Sequence, residues 1–419
     1  MTRAAWAALV VAALGLFVLS WSLLHHGSLG SGQITDTPTY QSYGDAIARG
    51  AVPYRDFKLE YPPGALPVFI LPSLGHEGDR AAYDRWFDRE MALCGCLALL
   101  GTALCLRALQ ARPIHTAVAL GFFGVSPLLI GSVALTRFDF WPAALAVFAL
   151  AALLSDRPVP AAVLLGCAIG AKLWPAAILP LFSVCLVTTR GRRTAAIWTA
   201  GVAAVLAAIF LPFTVLAPGG IGHSFHSQLA RPLQLESFGS AVLIAVHHVA
   251  GTTLHVTGSF GSQNVTGPGA HAVEVVTTIA GVLALVAIWV LFARGPATGA
   301  RLAAHSAASI AALLAFGKVF SPQFVIWLVP FVLLVGGLRG VAAGALLAAV
   351  LALTHAWFPH HYWALAQGFA PTQSGELLAR DLCVVALFVV LVWPGLQHEM
   401  LGEHRSRLEA LQRVRTQID

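Results

Sequence analysis

Apolar runs alternate with short polar breaks along most of the 419 residues. A helix that crosses a bilayer needs roughly 20 mainly apolar residues, and an open sheet would leave backbone groups unpaired in lipid. The pattern therefore predicts an all-α polytopic integral membrane protein with about 12 spans. The predicted spans are 4–24, 89–109, 114–135, 141–155, 159–172, 174–188, 195–216, 271–293, 302–318, 322–337, 341–357 and 378–396.

Two further apolar stretches do not fit as spans. Residues 61–75 are broken by prolines, and residues 240–256 contain three histidines. We expect both to be interfacial or re-entrant segments on the outer side of the membrane. One transmembrane domain is predicted over residues 1–396, followed by a basic amphipathic tail at 397–419 on the cytoplasmic side.

Composition and charge agree with this class. The chain is 58% hydrophobic and 11% charged, with a formal net charge of +6 and a mean hydropathy of +0.77. The basic residues cluster in short loops, which the positive-inside rule assigns to the cytoplasm, so the positive charge does not indicate nucleic acid. The long loops then face outwards, and long irregular loops commonly carry functional sites. These outer loops are 25–88, 217–270 and 358–377.

Cofactor and metal motifs are absent from the sequence. The six cysteines all fall inside apolar runs, where a disulfide or a zinc site is not expected. No H-E-x-x-H spacing supports a metal enzyme built on histidines. No Gly-rich phosphate loop of the GxxxxGK[ST] type occurs either. We therefore expect no metal and no cofactor.

Ionisable and polar side chains that border membrane spans are energetically costly, so they are candidate functional residues. Each has an ordinary alternative: neighbouring charges could pair across a turn, a lysine could reach the headgroups, and histidines could lie in an interfacial belt. In the predicted topology they all fall on the outer side. The candidates are Asp36, Asp56 and Glu60 in the first outer loop, and Arg137, Asp139, Lys172, Arg231, Glu236, Lys318, Gln323, His355 and His360 at later outer positions.

A carboxylate and several cations that face a lipid suit group transfer from a phosphate-linked donor. The carboxylate removes the proton from the acceptor hydroxyl. Lysine, arginine and histidine bind the phosphate leaving group and stabilise its growing charge. A membrane-embedded phosphate donor needs no nucleotide-binding domain, and none is predicted.

Five short motifs resemble glycosyltransferase family 87. They lie in the same order along the chain and border predicted outer segments. The resemblance implies a GT-C fold and a polyprenyl-phosphate sugar as donor, as in the mannosyltransferases of bacterial phosphatidylinositol mannosides. The motifs are D-x-x-x-Y at 36–40, G-x-x-P-Y at 50–54, E-Y-P-P at 60–63, G-x-x-x-G-x-K-x-x-P at 166–175 and S-P-Q-F-x-x-W-x-x-P at 321–330.

The family resemblance implies a general base in the first outer loop. The matching acid is Asp36, which has no adjacent cation in the sequence. Glu60 and Asp56 are the competing acids, and both could instead pair with the neighbouring Arg55 or Lys58. Asp45 is expected at the surface of an amphipathic helical turn. Pro38 departs from the usual motif and leaves the local helix start open.

The implied reaction is inverting transfer of a hexose, with mannose as the first choice, to an extracytoplasmic glycolipid or glycan. The protein would lie among the lipids of a bacterial inner membrane, with its active site on the outer side. The alternative is a transporter or flippase for an anionic lipid. Such a protein should hold its charges near the membrane midplane, whereas the candidates here lie at outer turns.

Overall fold

The computed structural model describes residues 1–30 and 34–393, so the predicted tail at 397–419 lies outside the described residues. Eighteen α-helices occur in these two ranges. They are α1 Arg3–Leu23, α2 Thr37–Ala48, α3 Leu66–Ile70, α4 Arg80–Ala108, α5 Pro113–Ile130, α6 Val133–Thr136, α7 Phe140–Leu154, α8 Pro158–Ala171, α9 Leu179–Arg190, α10 Arg192–Leu216, α11 Pro218–Leu229, α12 Phe238–Ala250, α13 Ala270–Ala293, α14 Gly299–Phe316, α15 Val325–Val332, α16 Gly337–Trp357, α17 Tyr362–Gly368 and α18 Pro371–Val392.

Each predicted span overlaps a helix, and most ends differ by a few residues. Helix α4 begins nine residues before the span predicted at 89–109, and α18 begins seven residues before the span predicted at 378–396. Among the described residues, seven helices are long and apolar enough to cross a membrane: α1, α4, α5, α10, α13, α14 and α16. Several shorter apolar helices accompany them, including α7, α8 and α12. The prediction of an all-α polytopic membrane protein is therefore confirmed.

Small residues allow the helices to pack closely, as is common between helices in membranes. Helix α8 lies against α10 at Gly166 and Gly170. A Cβ atom at either glycine would lie 2.7 Å from a methyl group of the facing Val205 or Ile209. Helix α10 otherwise turns many apolar side chains outwards, including Ile197. This outward surface fits contact with lipid, because lipid tails are as apolar as the side chains.

The long segments that the sequence predicts to lie on the outer side contain more regular structure than expected. Short 3₁₀ helices at Pro63–Ala65 and Leu71–Ser73 flank α3, so the proline-broken stretch is a chain of short turns. The predicted loop between α10 and α13 holds helices α11 and α12. It also holds an antiparallel hairpin, β1 His255–Ser259 and β2 Ser262–Thr266, in which His255 faces Thr266 and Ser259 faces Ser262.

The structure answers one open point in the loop between α1 and α4, the start of α2, and corrects one expectation, the surface position of Asp45. Helix α2 begins at Thr37 with Pro38 in its first turn, a position that proline suits because its fixed φ is helical and no N–H is needed there. Asp45 is buried at 7% exposure, since its carboxylate accepts a hydrogen bond of 3.0 Å from the backbone N–H of Gly78. Asp45 therefore ties α2 to the turn before α4.

Candidate active site

A cavity of about 350 Å³ opens where the segment between α1 and α4 meets the segments after α8, α11 and α14. Five of the predicted site residues line it. They come from separate parts of the chain: the start of α2, the loop before α3, the end of α8, the loop after α11, and the turn before α15. These residues are Asp36, Glu60, Lys172, Arg231 and Gln323.

Asp36 stands at the N-terminus of α2. Its Oδ2 lies 3.1 Å from Nε of Arg137, and Tyr40 Oη donates a hydrogen bond of 3.4 Å to the same oxygen. No cation adjoins Asp36 in the sequence, and Arg137, which is distant in sequence, is brought beside it by the turn between α6 and α7. Arg137 is buried and Asp36 remains partly exposed, so the carboxylate is held in place while one side faces the cavity.

Glu60 enters the cavity from a segment fixed by α11. Its backbone carbonyl accepts hydrogen bonds from Ser224 Oγ at 3.3 Å and from Gln228 Nε2 at 3.1 Å. The carboxylate lines the cavity, and burial raises its pKa, an effect that nearby Arg231 opposes. Glu60 is therefore a second cavity carboxylate, more easily protonated than a free glutamate.

Asp56 lies away from the cavity. Its carboxylate pairs with Arg55 at 2.8 Å and accepts a hydrogen bond of 2.8 Å from the backbone N–H of Val52. These contacts lower the pKa of Asp56 to about 2. The alternative in which Asp56 shapes the loop therefore fits its geometry, whereas its candidacy as a base has no support from position.

Lys172 follows the last residue of α8 in an extended conformation, which lets its side chain leave the helix end and reach the cavity. Its Nζ donates a hydrogen bond of 2.6 Å to Asp139 Oδ1. The ammonium also lies 4.7 to 5.1 Å from the ring centroids of Phe138, Phe324 and Trp327. Cation–π contacts of this length are attractive, so the charge has a defined place beside the cavity.

Arg231 and Gln323 complete the polar lining. Arg231 donates a hydrogen bond of 2.9 Å to the carbonyl of Phe260, in the turn of the β-hairpin. Both Phe260 and the following Gly261 have positive φ values of 52° and 67°, which makes a tight turn, and Gly261 itself lines the cavity. The hydrogen bond from Arg231 therefore holds the hairpin turn at the edge of the cavity.

Six residues that the sequence predicts to bind substrate do not line this cavity. Arg137 and Asp139 pair with lining residues, and the other four have different surroundings. Lys318 pairs with Glu274 at 2.9 Å. Glu236 is buried, and its backbone carbonyl accepts a hydrogen bond of 2.6 Å from Arg380. The remaining two residues are histidines: His355 packs against Gly131, and His360 is exposed.

Aromatic residues supply much of the remaining cavity surface, and the sequence did not single them out. Tyr54 and Tyr61 come from the first outer loop, whereas Trp174 and Trp327 come from the later motifs. Trp174 and Trp327 stack with centroids 5.2 Å apart. Trp174 Nε1 is buried without a hydrogen-bond partner among the described residues. Each aromatic lies inside a quoted motif, so the motif itself was the available signal.

Within the described residues, no group of three or more His, Cys, Asp or Glu side chains is arranged to hold a metal ion. The cavity is lined by two carboxylates, two cations, two amides and several aromatic rings. Carboxylates accept protons and cations stabilise phosphate. Aromatic faces bind apolar surface and rings.

Comparison with known proteins gives one family match. Residues 59–322 match the family described as glycosyltransferase family 87. No curated protein gives a significant match. Among solved structures, the chain is similar to the apo crystal structure of the Archaeoglobus fulgidus oligosaccharyltransferase, with 13% identity, a TM-score of 0.44 and coverage of 92% of this chain. The chain spans about half, 55%, of that protein's length.

Proposed function

Because the chain belongs to glycosyltransferase family 87, we propose that it transfers a hexose, with mannose as the first candidate, from a polyprenyl-phosphate donor to a glycolipid or glycan. The observation that carries this proposal is the composition of the cavity. Carboxylates of Asp36 and Glu60 share one cavity with the cations of Lys172 and Arg231. A sugar phosphate and an acceptor hydroxyl need these two kinds of group.

In the proposed reaction, Asp36 accepts the proton of the acceptor hydroxyl as that oxygen attacks the anomeric carbon. The bond from the anomeric carbon to the phosphate oxygen breaks, and polyprenyl phosphate leaves with the electron pair. Lys172 and Arg231 stabilise the charge that grows on the phosphate. Attack opposite to the leaving group inverts the anomeric configuration in a single displacement.

The surroundings of the Asp36 carboxylate fit this role. Arg137 holds one oxygen at 3.1 Å, which fixes the direction of the side chain. The family match covers residues 59–322 and so begins after Asp36. The proposed role of Asp36 therefore depends on its geometry and on the motif at 36–40.

Membrane location follows from the apolar helices. We further propose that the membrane is a bacterial inner membrane and that the cavity opens on its extracytoplasmic side. The basic residues Arg190, Arg192 and Arg193 lie at the junction of α9 and α10. The cavity residues lie away from this junction: Lys172 precedes α9, and Phe210 is near the end of α10. Basic short loops mark the cytoplasmic side.

The test is sugar transfer by the purified full chain in liposomes. Labelled polyprenyl-phosphate mannose and polyprenyl-phosphate glucose are supplied separately with a membrane glycolipid extract, and products are separated by mass. A new glycosidic bond and released polyprenyl phosphate are expected. Movement of labelled donor across the bilayer without a new glycosidic bond would contradict the proposal and favour a flippase.

A further inference from the structure

Asp139 was predicted to bind substrate, but it lies behind the cavity lining. Its side chain is completely buried and does not contact the cavity. Its Oδ1 accepts hydrogen bonds from Lys172 Nζ at 2.6 Å and from Trp327 Nε1 at 2.5 Å. One carboxylate oxygen therefore joins two cavity-lining residues that come from α15 and from the end of α8.

The Lys172 ammonium has few other ways to remain charged. Its side chain is 14% exposed, and its neighbours are the rings of Phe138, Phe324 and Trp327. Burial disfavours the charged form of a lysine, and a close carboxylate restores it. The pair at 2.6 Å is therefore the main contact that opposes loss of the proton.

The other charged groups that face Lys172 do not replace Asp139. They are Asp36, at the start of α2, and Arg231, in the loop after α11. Arg137 already pairs with Asp36, and Arg231 carries the same sign as Lys172, so it disfavours a second charge nearby. Removal of Asp139 would leave an ammonium among aromatic rings with a repelling cation close by.

We propose that Asp139 is a positioning residue that keeps Lys172 protonated and directed into the cavity, where the ammonium binds the phosphate of the donor. This inference rests on the proposed function, because it assigns the phosphate of that donor to Lys172. Asp139 itself contacts neither donor nor acceptor. Asp139 also accepts a hydrogen bond from Trp327, so one carboxylate fixes the positions of both the cation and this aromatic ring.

The first test measures transfer from polyprenyl-phosphate mannose over a range of pH. Asp139→Asn and Lys172→Gln should each lower kcat/KM by about 100-fold at neutral pH, since misplaced groups near the reacting centre have effects of this size. The double variant should lose little more than the worse single variant, because both act through one ammonium. Asp139→Asn should also move the alkaline limb of the pH profile to lower pH, which a loss of folded protein would not do.

The matched control is Asp156→Asn. Asp156 follows the opposite end of α7, is exposed, and pairs with Arg190. It should keep wild-type kcat/KM and an unchanged pH profile. A profile shifted equally in both variants would overturn the assignment of the shift to Lys172.

A second test needs no substrate. The lysines of the chain are Lys58, Lys172 and Lys318, so competitive acetylation followed by mass spectrometry resolves each amine. Lys172 should react at lower pH in Asp139→Asn than in the wild type, while exposed Lys58 serves as the internal reference. If Asp139→Asn does not fold, Asp139→Ser replaces it, because a smaller neutral side chain also removes the charge and fits the same space.

The outcomes separate this inference from the proposed function. If the wild type forms no glycosidic bond but Lys172 acetylation shifts in the variant, the proposed function fails and the role of Asp139 in holding the charge stands. If the wild type transfers sugar, and Asp139→Asn keeps both the wild-type pH profile and the pH at which Lys172 is acetylated, the inference is overturned and the proposed function stands.

Discussion

At the scale of single residues, the cavity offers two carboxylates for one catalytic role. Asp36 pairs with Arg137, whereas burial raises the pKa of Glu60. We expect Asp36→Asn to lower kcat by about 10²- to 10⁴-fold, the usual contribution of a general base. Glu60→Gln should lower kcat less and raise KM, because it would lose only a hydrogen bond to the substrate.

The matched control for both substitutions is Asp56→Asn, since Asp56 lies in the same loop but outside the cavity. Its kcat and KM should equal those of the wild type in the liposome assay. A larger loss of kcat in Glu60→Gln than in Asp36→Asn would indicate that Glu60 is the general base and that Asp36 binds the substrate. Full turnover in Asp36→Asn would remove Asp36 from catalysis.

Glu236 is a residue whose charge affects stability. Burial raises its pKa to about 7, above the value of roughly 4.3 expected in an unfolded chain. The folded state therefore favours the protonated form. Its stabilising contribution is complete below about pH 4 and is lost as pH rises through 7, up to about 4 kcal/mol by linkage.

Glu236→Gln should therefore lose less stability than the wild type when pH is raised from 5 to 8. Thermal unfolding of the purified chain in detergent at several pH values measures this difference. The control Asp56→Asn should follow the wild type, because the pKa of Asp56, about 2, leaves it ionised throughout. Parallel curves for Glu236→Gln and wild type would contradict the prediction.

At the scale of elements, helix α11 forms one side of the cavity and depends on a close backbone contact. A Cβ at Gly220 would lie 1.9 Å from the carbonyl oxygen of Tyr54, so no side chain fits there without movement of the helix. Gly222, one half-turn further on, has nothing within 4 Å of the same position. A side chain added at Gly220 should therefore displace α11, whereas a side chain added at Gly222 should leave the helix in place.

We expect Gly220→Ala to lower both transfer activity and the unfolding temperature, because α11 must move away from the loop that carries Glu60. Gly222→Ala should keep activity and gain up to about 1 kcal/mol of stability, since alanine is the better helix former. The comparison uses the same substitution in the same helix. Equal behaviour of the two variants would show that the close approach of α11 does not shape the cavity.

The elements also show where sequence patterns stop being informative. Long apolar runs located α1, α10 and α13 because lipid requires continuous apolar faces. Helix α11 and the hairpin are short elements without a spanning run, and the hairpin turn at Phe260 and Gly261 lacks the usual Asn-Gly signal. Their positions depend on tertiary contacts, such as those of Gly220 with Tyr54 and Arg231 with Phe260.

At the scale of the whole molecule, the topology brings distant candidates to one place. The basic loops in the sequence are enough to predict that Asp36, Lys172 and Arg231 share the outer side, and these three line one cavity. The same rule could not separate them from Lys318, which pairs with Glu274 elsewhere. Pairing depends on side-chain directions across several helices, and no local pattern encodes these.

The orientation of the molecule gives the last prediction. If the cavity opens outside the cell, the hairpin must be accessible from outside and the turn after α9 from inside. The same substitution can be made at one exposed position on each side: Thr257→Cys in β1 and Thr189→Cys in the last turn of α9.

In a background without the native cysteines, a membrane-impermeant maleimide should label Thr257→Cys in intact cells. Thr189→Cys should be labelled only after the cells are permeabilised. The reverse result would put the cavity in the cytoplasm, where the proposed extracytoplasmic acceptor could not reach Asp36.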